Sequence, residues 1–151
     1  MWRRQKIRSG LGDTPSGGRG KYGNERSLCS KNHSHRSKLE RALCERLTLL
    51  EKAGEIEMLG VEDTVLLGGW FKYVADFKLR DVKTGQIYWA EAKGYETDRW
   101  PSVKKGWRFC GPGLLEIYKG NELSLKLVEV IIPRGYSNAE SRCTCGANRE
   151  S

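Results

Sequence analysis

No stretch of this 151-residue chain approaches the run of about 20 apolar residues that a membrane-spanning helix needs. The basic start, Met1-Trp-Arg-Arg-Gln-Lys6, is followed by no apolar segment, so it does not read as a signal peptide. A cytoplasmic protein is the default expectation. A secreted disulfide framework is also missing: there are five cysteines, an odd number, irregularly placed at Cys29, Cys44, Cys110, Cys143 and Cys145. No internal repeat is visible. With 38% hydrophobic and 9% aromatic residues, the chain lacks the material for two cores and suits one modest domain with tails.

Excess charge is absent from most of the chain. Residues 39–151 hold seventeen Lys/Arg and seventeen Asp/Glu, whereas residues 1–38 hold ten and two, so the formal net charge of +8 sits in the first quarter. Residues 1–36 also contain six Gly and five Ser and show no apolar periodicity, the composition of a flexible basic arm. A polyanion such as nucleic acid is its natural partner. The plainer account is a solvated tail that keeps the protein in solution. His33 and His35 form an H-x-H in the arm, and Cys143 and Cys145 a C-x-C in a polar tail over 134–151. Together they could ligate zinc. A structural zinc site usually brings paired ligands at regular spacing, however, and free thiols are the favoured expectation.

Between arm and tail, the pattern predicts helix, three-strand meander, helix, two strands. Ser37 followed by Glu40 is a capping box. Leu39, Leu43, Leu47 and Leu50 then cluster within about 80° of arc, which makes one buried stripe on a helix over 37–53, with Gly54 ending it. Strands are expected over Val61–Leu67, Trp70–Asp81 and Gln86–Lys93. In the second, Phe71, Tyr73, Ala75, Phe77 and Leu79 share one face, and Trp70, Lys72, Val74, Asp76 and Lys78 the other. Pro101 suits the first turn of a second helix, with Val103, Trp107 and Cys110 along its stripe and Gly111-Pro-Gly113 at its end. Leu114–Tyr118 and Leu123–Ile132 complete the strands, and Pro133 stops the last.

The chemistry concentrates in the hairpin. Asp76 lies in its first strand; Glu91 and Lys93 lie two apart in its second, so period two keeps that acid and lysine on one face. Whether Asp76 meets Glu91 depends on the turn at Val82-Lys-Thr-Gly85. A two- or four-residue loop opposes Asp76 to Glu91, with Cβ atoms about 5 Å apart. A three-residue loop with a bulge at Gly85 opposes it to Ala92 instead. Both registers fit the sequence. Two carboxylates and a backbone carbonyl, that of Ala92, would give Mg²⁺ the hard oxygens it takes. Lys93 could orient a water or stabilise charge developing on a phosphoryl group. The bland alternative is a solvated sheet face. Against it, Tyr88-Trp89-Ala90 is apolar on both sides, as in a central strand. Arg36 and Lys38 at the foot of the arm, and Lys104, Lys105 and Arg108 on the second helix, are candidate phosphate contacts, though a solvated helix face explains the last three as simply. For Glu40 the capping role alone would suffice.

Taken together, Ser37-Lys-Leu-Glu40, Leu50-Glu-Lys-Ala-Gly-Glu-Ile56, Tyr73-Val-Ala-Asp-Phe77 and Ala90-Glu-Ala-Lys-Gly94, with Thr97 shortly after, resemble the small phage endonucleases of the PD-(D/E)XK superfamily. That superfamily includes the phage endonuclease I-type proteins, Holliday junction resolvases that act on branched DNA. The resemblance spans roughly residues 36–120 and implies a restriction-endonuclease-like α/β fold over 37–133, with a central mixed β-sheet of about five strands flanked by helices. It assigns the helix glutamate to Glu40, the metal-binding aspartate to Asp76, the second acid to Glu91 and the lysine to Lys93. Ala75 stands where the superfamily's name has proline, a position that varies within it. The resemblance implies a Mg²⁺-dependent DNA endonuclease (Mn²⁺ able to substitute) of phage or mobile-element type, working in the host cytoplasm on branched or recombination-intermediate DNA. Cutting both strands of a junction needs two sites, hence a homodimer. A non-catalytic nucleic-acid-binding or recombination accessory protein on the same scaffold is the alternative. An RNA-binding protein stacking bases on Trp70, Tyr88 and Trp89 ranks below both.

Overall fold

A computed structural model describes residues 26–137. The remainder of the expected arm and tail, including Cys143 and Cys145, lies outside the described residues. Two short strands, β1 (Ser27–Leu28) and β2 (Ser34–His35), lead into helix α1 (Lys38–Lys52). The chain continues through β3 (Ile56–Leu67), β4 (Phe71–Asp81), β5 (Ile87–Ala92), α2 (Trp100–Cys110), β6 (Leu115–Asn121) and β7 (Ser124–Ile131). The long strands form one mixed sheet in the order β3-β4-β5-β6-β7. All neighbours are antiparallel except β5 and β6, the pair that α2 joins as a crossover. The chain is thus an α/β protein with a five-stranded mixed sheet, and β5 is its central strand. Among the described residues no helix is long and apolar enough to cross a membrane.

The helices cover opposite faces. Leu43, Cys44 and Leu47 of α1 pack with Phe77, Leu79, Ala90 and Ala92, whereas Trp100, Val103 and Trp107 of α2 pack with Trp89, Leu115 and Ile117. Trp89 and Ala90 are successive strand residues and so point to opposite sides of the sheet.

Local chemistry sets the helix ends. Ser37 caps α1 by accepting the Glu40 N–H at 3.1 Å. The returning arm of the box shifts by one residue: Glu40 accepts the N–H of Arg36 at 3.0 Å. At the other end Gly54 adopts φ 76°, and the bonds Gly54 N–H to Glu51 C=O and Glu55 N–H to Leu50 C=O close a left-handed terminator. All four leucines of the expected stripe face the α1-side core. On α2 the stripe is Trp100, Val103 and Trp107; Cys110, expected in it, is exposed and donates to the Gly106 carbonyl at 3.1 Å.

Three expectations need correction. First, β3 begins at Ile56 rather than Val61, because the far half of β4 needs a partner; a bulge between Met58 and Gly60 breaks the alternation that would have revealed it. Second, β4 does not keep one apolar face. Tyr73 and Ala75 belong with the α2-side cluster, but Phe77 and Leu79 belong with the α1 side. The switch occurs at Asp76. Its expected partner across β3, Glu62, drops out of the ladder and takes φ 54°, so the strand can rotate there. Third, the arm expected over 1–36 has ordered structure from Ser27 onward. β1 and β2 pair as a hairpin against α1, where the Ser30 N–H and hydroxyl bond Glu45 at 2.6 and 2.7 Å and Lys31 pairs with Glu51. Two-residue strands have no period for a sequence to display.

The turn from α2 into β6 is glycine for steric reasons. A Cβ on Gly113 would lie 2.8 Å from the Ile87 carbonyl oxygen and 2.9 Å from the Trp89 ring. Trp107 Nε1 donates to the Gly113 carbonyl at 2.8 Å, so the segment cannot easily withdraw. Gly113→Ala should therefore cost about 1–3 kcal/mol of stability, the usual range for overpacking. Urea unfolding measures it, and an unchanged midpoint would show that the turn relaxes freely.

Candidate functional site

The β4–β5 turn resolves the register. The Asp81 N–H bonds the Gln86 carbonyl at 2.9 Å, and the Gly85 N–H bonds the Asp81 carbonyl at 2.8 Å. Asp81 Oδ1 accepts the Thr84 N–H and hydroxyl at 2.7 and 2.9 Å, and Gly85 takes φ 73°. Residues 82–85 thus form a four-residue connection. The ladder runs from Arg80↔Ile87 to Phe77↔Ala90, the register that sets Asp76 toward Glu91.

At that point side chains replace the ladder. Asp76 Oδ2 accepts the Ala92 N–H at 2.8 Å, and Glu91 Oε2 accepts the Asp76 N–H at 3.3 Å. The strands part, and β5 continues against β6 through Glu91↔Ile117 and Ala92↔Tyr118. Asp76 and Glu91 are 6% and 4% exposed, an unusual depth for two acids. Lys93 Nζ donates to Glu91 Oε1 at 2.9 Å and lies 4.2 Å from the centroid of the Trp100 ring. The acid-x-lysine spacing therefore keeps both groups on one face.

These residues line a cleft of about 860 Å³ between the N-terminus of α1 and the parting of β4 and β5. Arg36, Lys38 and Glu40 come from the α1 side, Tyr73, Val74 and Asp76 from β4, and Glu91, Ala92 and Lys93 from β5. Burial raises the pKa of Asp76 well above the ordinary carboxylate value, and the Glu91 and Glu40 carboxylates raise it further. Burial also raises that of Glu40, opposed by its bonds to Arg36 and Ser37. The Tyr73 pKa rises through burial and then the Glu91 charge; its hydroxyl makes no hydrogen bond of ordinary geometry among the described residues. Three carboxyl groups thus crowd a poorly solvated place, and Lys93 is bonded to one of them.

Such a site suits a divalent cation. Asp76 and Glu91 offer hard oxygens, and Ala92 lines the cleft beside them. The N–H of Ala92 is the group tied to Asp76. Glu40 shares the cleft, but the two strand acids do not draw it into a three-carboxylate cluster; its oxygens remain on Arg36 and Ser37.

The remaining expected residues scatter. Lys104 and Arg108 bond Glu129 of β7 at 2.8 and 2.9 Å, Lys105 is exposed, and none of the three lines the cleft. Arg36 lines it and pairs with Glu62 at 3.1 Å. Of the aromatics considered for base stacking, Trp89 is buried with its Nε1 on Asp63 at 2.8 Å, Tyr88 is partly buried in the α1-side core, and Trp70 alone is widely exposed, at 82%. These three therefore make no sheet platform for stacking. Two residues of the site escaped the sequence. By alternation Tyr73 falls on the face of its strand opposite Asp76, yet it lines the cleft; Trp100 carries no signal beyond preceding Pro101, yet it backs Lys93. Against protein-family models, curated proteins and solved structures, the chain finds no match.

The buried acid has a consequence for stability. Folding raises the Asp76 pKa above its unfolded value of about 4, so the folded state binds the extra proton. Its contribution is then most favourable below about pH 4 and declines as pH rises toward the folded pKa. Asp76→Asn keeps an oxygen for the Ala92 N–H and removes the charge. The variant should be more stable than the parent at pH 7, by a gap that narrows toward pH 4. Thermal unfolding across pH 4–8 measures it; a less stable variant at pH 7 would mean that the carboxylate is net favourable.

Proposed function

We propose that this chain is a Mg²⁺-dependent DNA endonuclease with a restriction-endonuclease-like fold. One observation carries the reading: two buried carboxylates, Asp76 and Glu91, meet where β4 and β5 part, with Lys93 bonded to one of them in an open cleft. Two acids desolvated side by side next to a cavity, with the Asp76 carboxyl pushed up by its surroundings, fit a functional site better than a purely structural pair.

In this reading Asp76 and Glu91 hold the cation, with the Ala92 carbonyl as a further oxygen. Bound there, Mg²⁺ (or Mn²⁺ in its place) supplies charge neutralisation at the phosphate and a more acidic water. Lys93 has two options. It can orient the attacking water together with Glu91, to which it is bonded, or stabilise the charge that builds on the phosphoryl oxygens. Trp100 beneath the ammonium holds it in place. Glu40 contributes by fixing the N-terminus of α1, which presents Arg36 and Lys38 to the cleft. Lys105 and the basic N-terminal residues extend the phosphate contacts; Lys104 and Arg108 first have to leave Glu129. Branched or recombination-intermediate DNA as substrate, action as a homodimer and a host-cytoplasmic setting rest on the resemblance to phage junction-resolving enzymes.

The test is a cleavage panel of four-way junction, flap, linear duplex, single strand and RNA, with Mg²⁺, Mn²⁺ or chelator. Junction cleavage dependent on the cation is expected. Glu91→Gln and Lys93→Ala should each slow it by about 10²–10³-fold or more while DNA binding is largely retained. Unchanged cutting by both variants would remove the site assignment. Tight junction binding with no cleavage under either cation would make the protein an accessory binder on this scaffold.

The basic N-terminus has its own test. Residues 1–25 carry six Lys/Arg and two Asp/Glu. Deleting them should weaken DNA binding and reduce the salt slope by roughly 0.9 for each phosphate that these cations neutralise in the full chain. An unchanged slope would rule out their contact with phosphate.

A further inference from the structure

We propose that Cys29, His33, His35 and Cys44 form a structural zinc site that clamps the β1–β2 hairpin to α1. One ligand atom from each of the four lies within 4.8 Å of all the others. The Sγ atoms of Cys29 and Cys44 are 3.6 Å apart, and Cys44 Sγ is 3.6 Å from His33 Nδ1. A tetrahedral zinc with bonds of about 2.3 Å to sulfur and 2.0–2.1 Å to nitrogen has S–S edges of about 3.8 Å and S–N edges of about 3.5 Å. Both separations are thus close to the edges of a zinc tetrahedron. The sulfur pair is far from the roughly 2.0 Å of a disulfide.

The surroundings point the same way. The His33 N–H donates to Cys29 Sγ at 3.3 Å, the kind of support that a metal-bound thiolate receives from its own turn. That turn brings the first two ligands together: Cys29 N–H to His33 C=O at 3.1 Å, Asn32 N–H to Cys29 C=O at 2.9 Å, and Asn32 at φ 64°. His35 is 2% exposed, and its Nε2 is buried without a hydrogen-bond partner among the described residues. A buried polar atom in that state calls for a partner. Strands of two residues are too short to hold a hairpin by their own ladder.

The donor set selects the ion. Two thiolates and two imidazoles suit zinc, not the oxygen-seeking Mg²⁺. Four protein ligands fill a tetrahedral shell and leave no open position, so the role is structural. Binding would displace the two thiol protons. None of the four residues lines the cleft of Asp76 and Glu91. Arg36 and Ser37 follow His35 directly, however, and Glu40 lies in the first turn of α1, so the clamp fixes the entry of α1 that forms one wall of that cleft.

The test uses the full chain, purified under reducing conditions, with metal content measured by mass spectrometry. About one zinc per chain is expected, with loss of that zinc in Cys29→Ser and His35→Ala. Cys110→Ser, Cys143→Ser/Cys145→Ser and Asp76→Asn should keep it, which separates this site from the tail thiols and from the acidic cleft. Cobalt(II) added to metal-free parent protein should give the intense visible bands and thiolate charge transfer of a tetrahedral centre, a readout that needs no variant to fold. Zinc-free parent protein that develops no tetrahedral cobalt spectrum would overturn the proposal. So would zinc retained by Cys29→Ser but lost from the Cys143/Cys145 variant.

Discussion

Two hydrogen bonds stand where the β4–β5 ladder would otherwise continue: Ala92 N–H to Asp76 Oδ2, and Asp76 N–H to Glu91 Oε2. Much of the architecture depends on them. They satisfy backbone donors that would be orphaned when the strands part, and an orphaned buried N–H is expensive. They allow β5 to leave β4 and finish against β6. They also fix both acids in the cleft, so the same bonds that resolve a backbone problem bring the two carboxyl groups together.

That concentration is unfavourable to folding. Asp76 is deprived of water and faces Glu91 and Glu40, with Lys93 in partial compensation. The surrounding structure has to impose it. Trp100 and Trp107 pack the α2 side of the sheet, and Phe77 and Leu79 anchor β4 to the α1 side immediately after the acid. The rotation of β4 at Asp76 links these halves. One strand serves both cores, and its acid sits at the crossing.

Glu40 shows how one residue can satisfy two constraints. Its N–H and carboxylate close the start of α1, and its charge reaches Asp76. The capping account and the site account of this residue do not compete, because the helix terminus is itself a wall of the cleft. The Cys/His cluster one turn further along α1 stands in the same relation to the hairpin that precedes the helix.

Features governed by neighbours in the chain were legible in the sequence. The Ser37 cap, the leucine stripe of α1, the Gly54 terminator and the shared face of Glu91 and Lys93 all follow from bonds or periods spanning a few residues. The central place of β5 could be inferred from Tyr88-Trp89-Ala90, because a strand apolar on both faces must be covered on both. What joins distant segments was not legible. The turn chemistry allowed two registers until Asp81 closed on Gln86, and the alternation of β4 gave no warning that Asp76 would reverse it. Cys29, His33 and His35 lie in a stretch whose Gly, Ser and basic content reads as an arm, and only the fold of that stretch onto α1 brings Cys44 to them. Periodicity reports what a segment buries, not against what. Strand order, the parting of β4 from β5 and the convergence of ligands are choices among long-range pairings, and those are settled by packing in three dimensions.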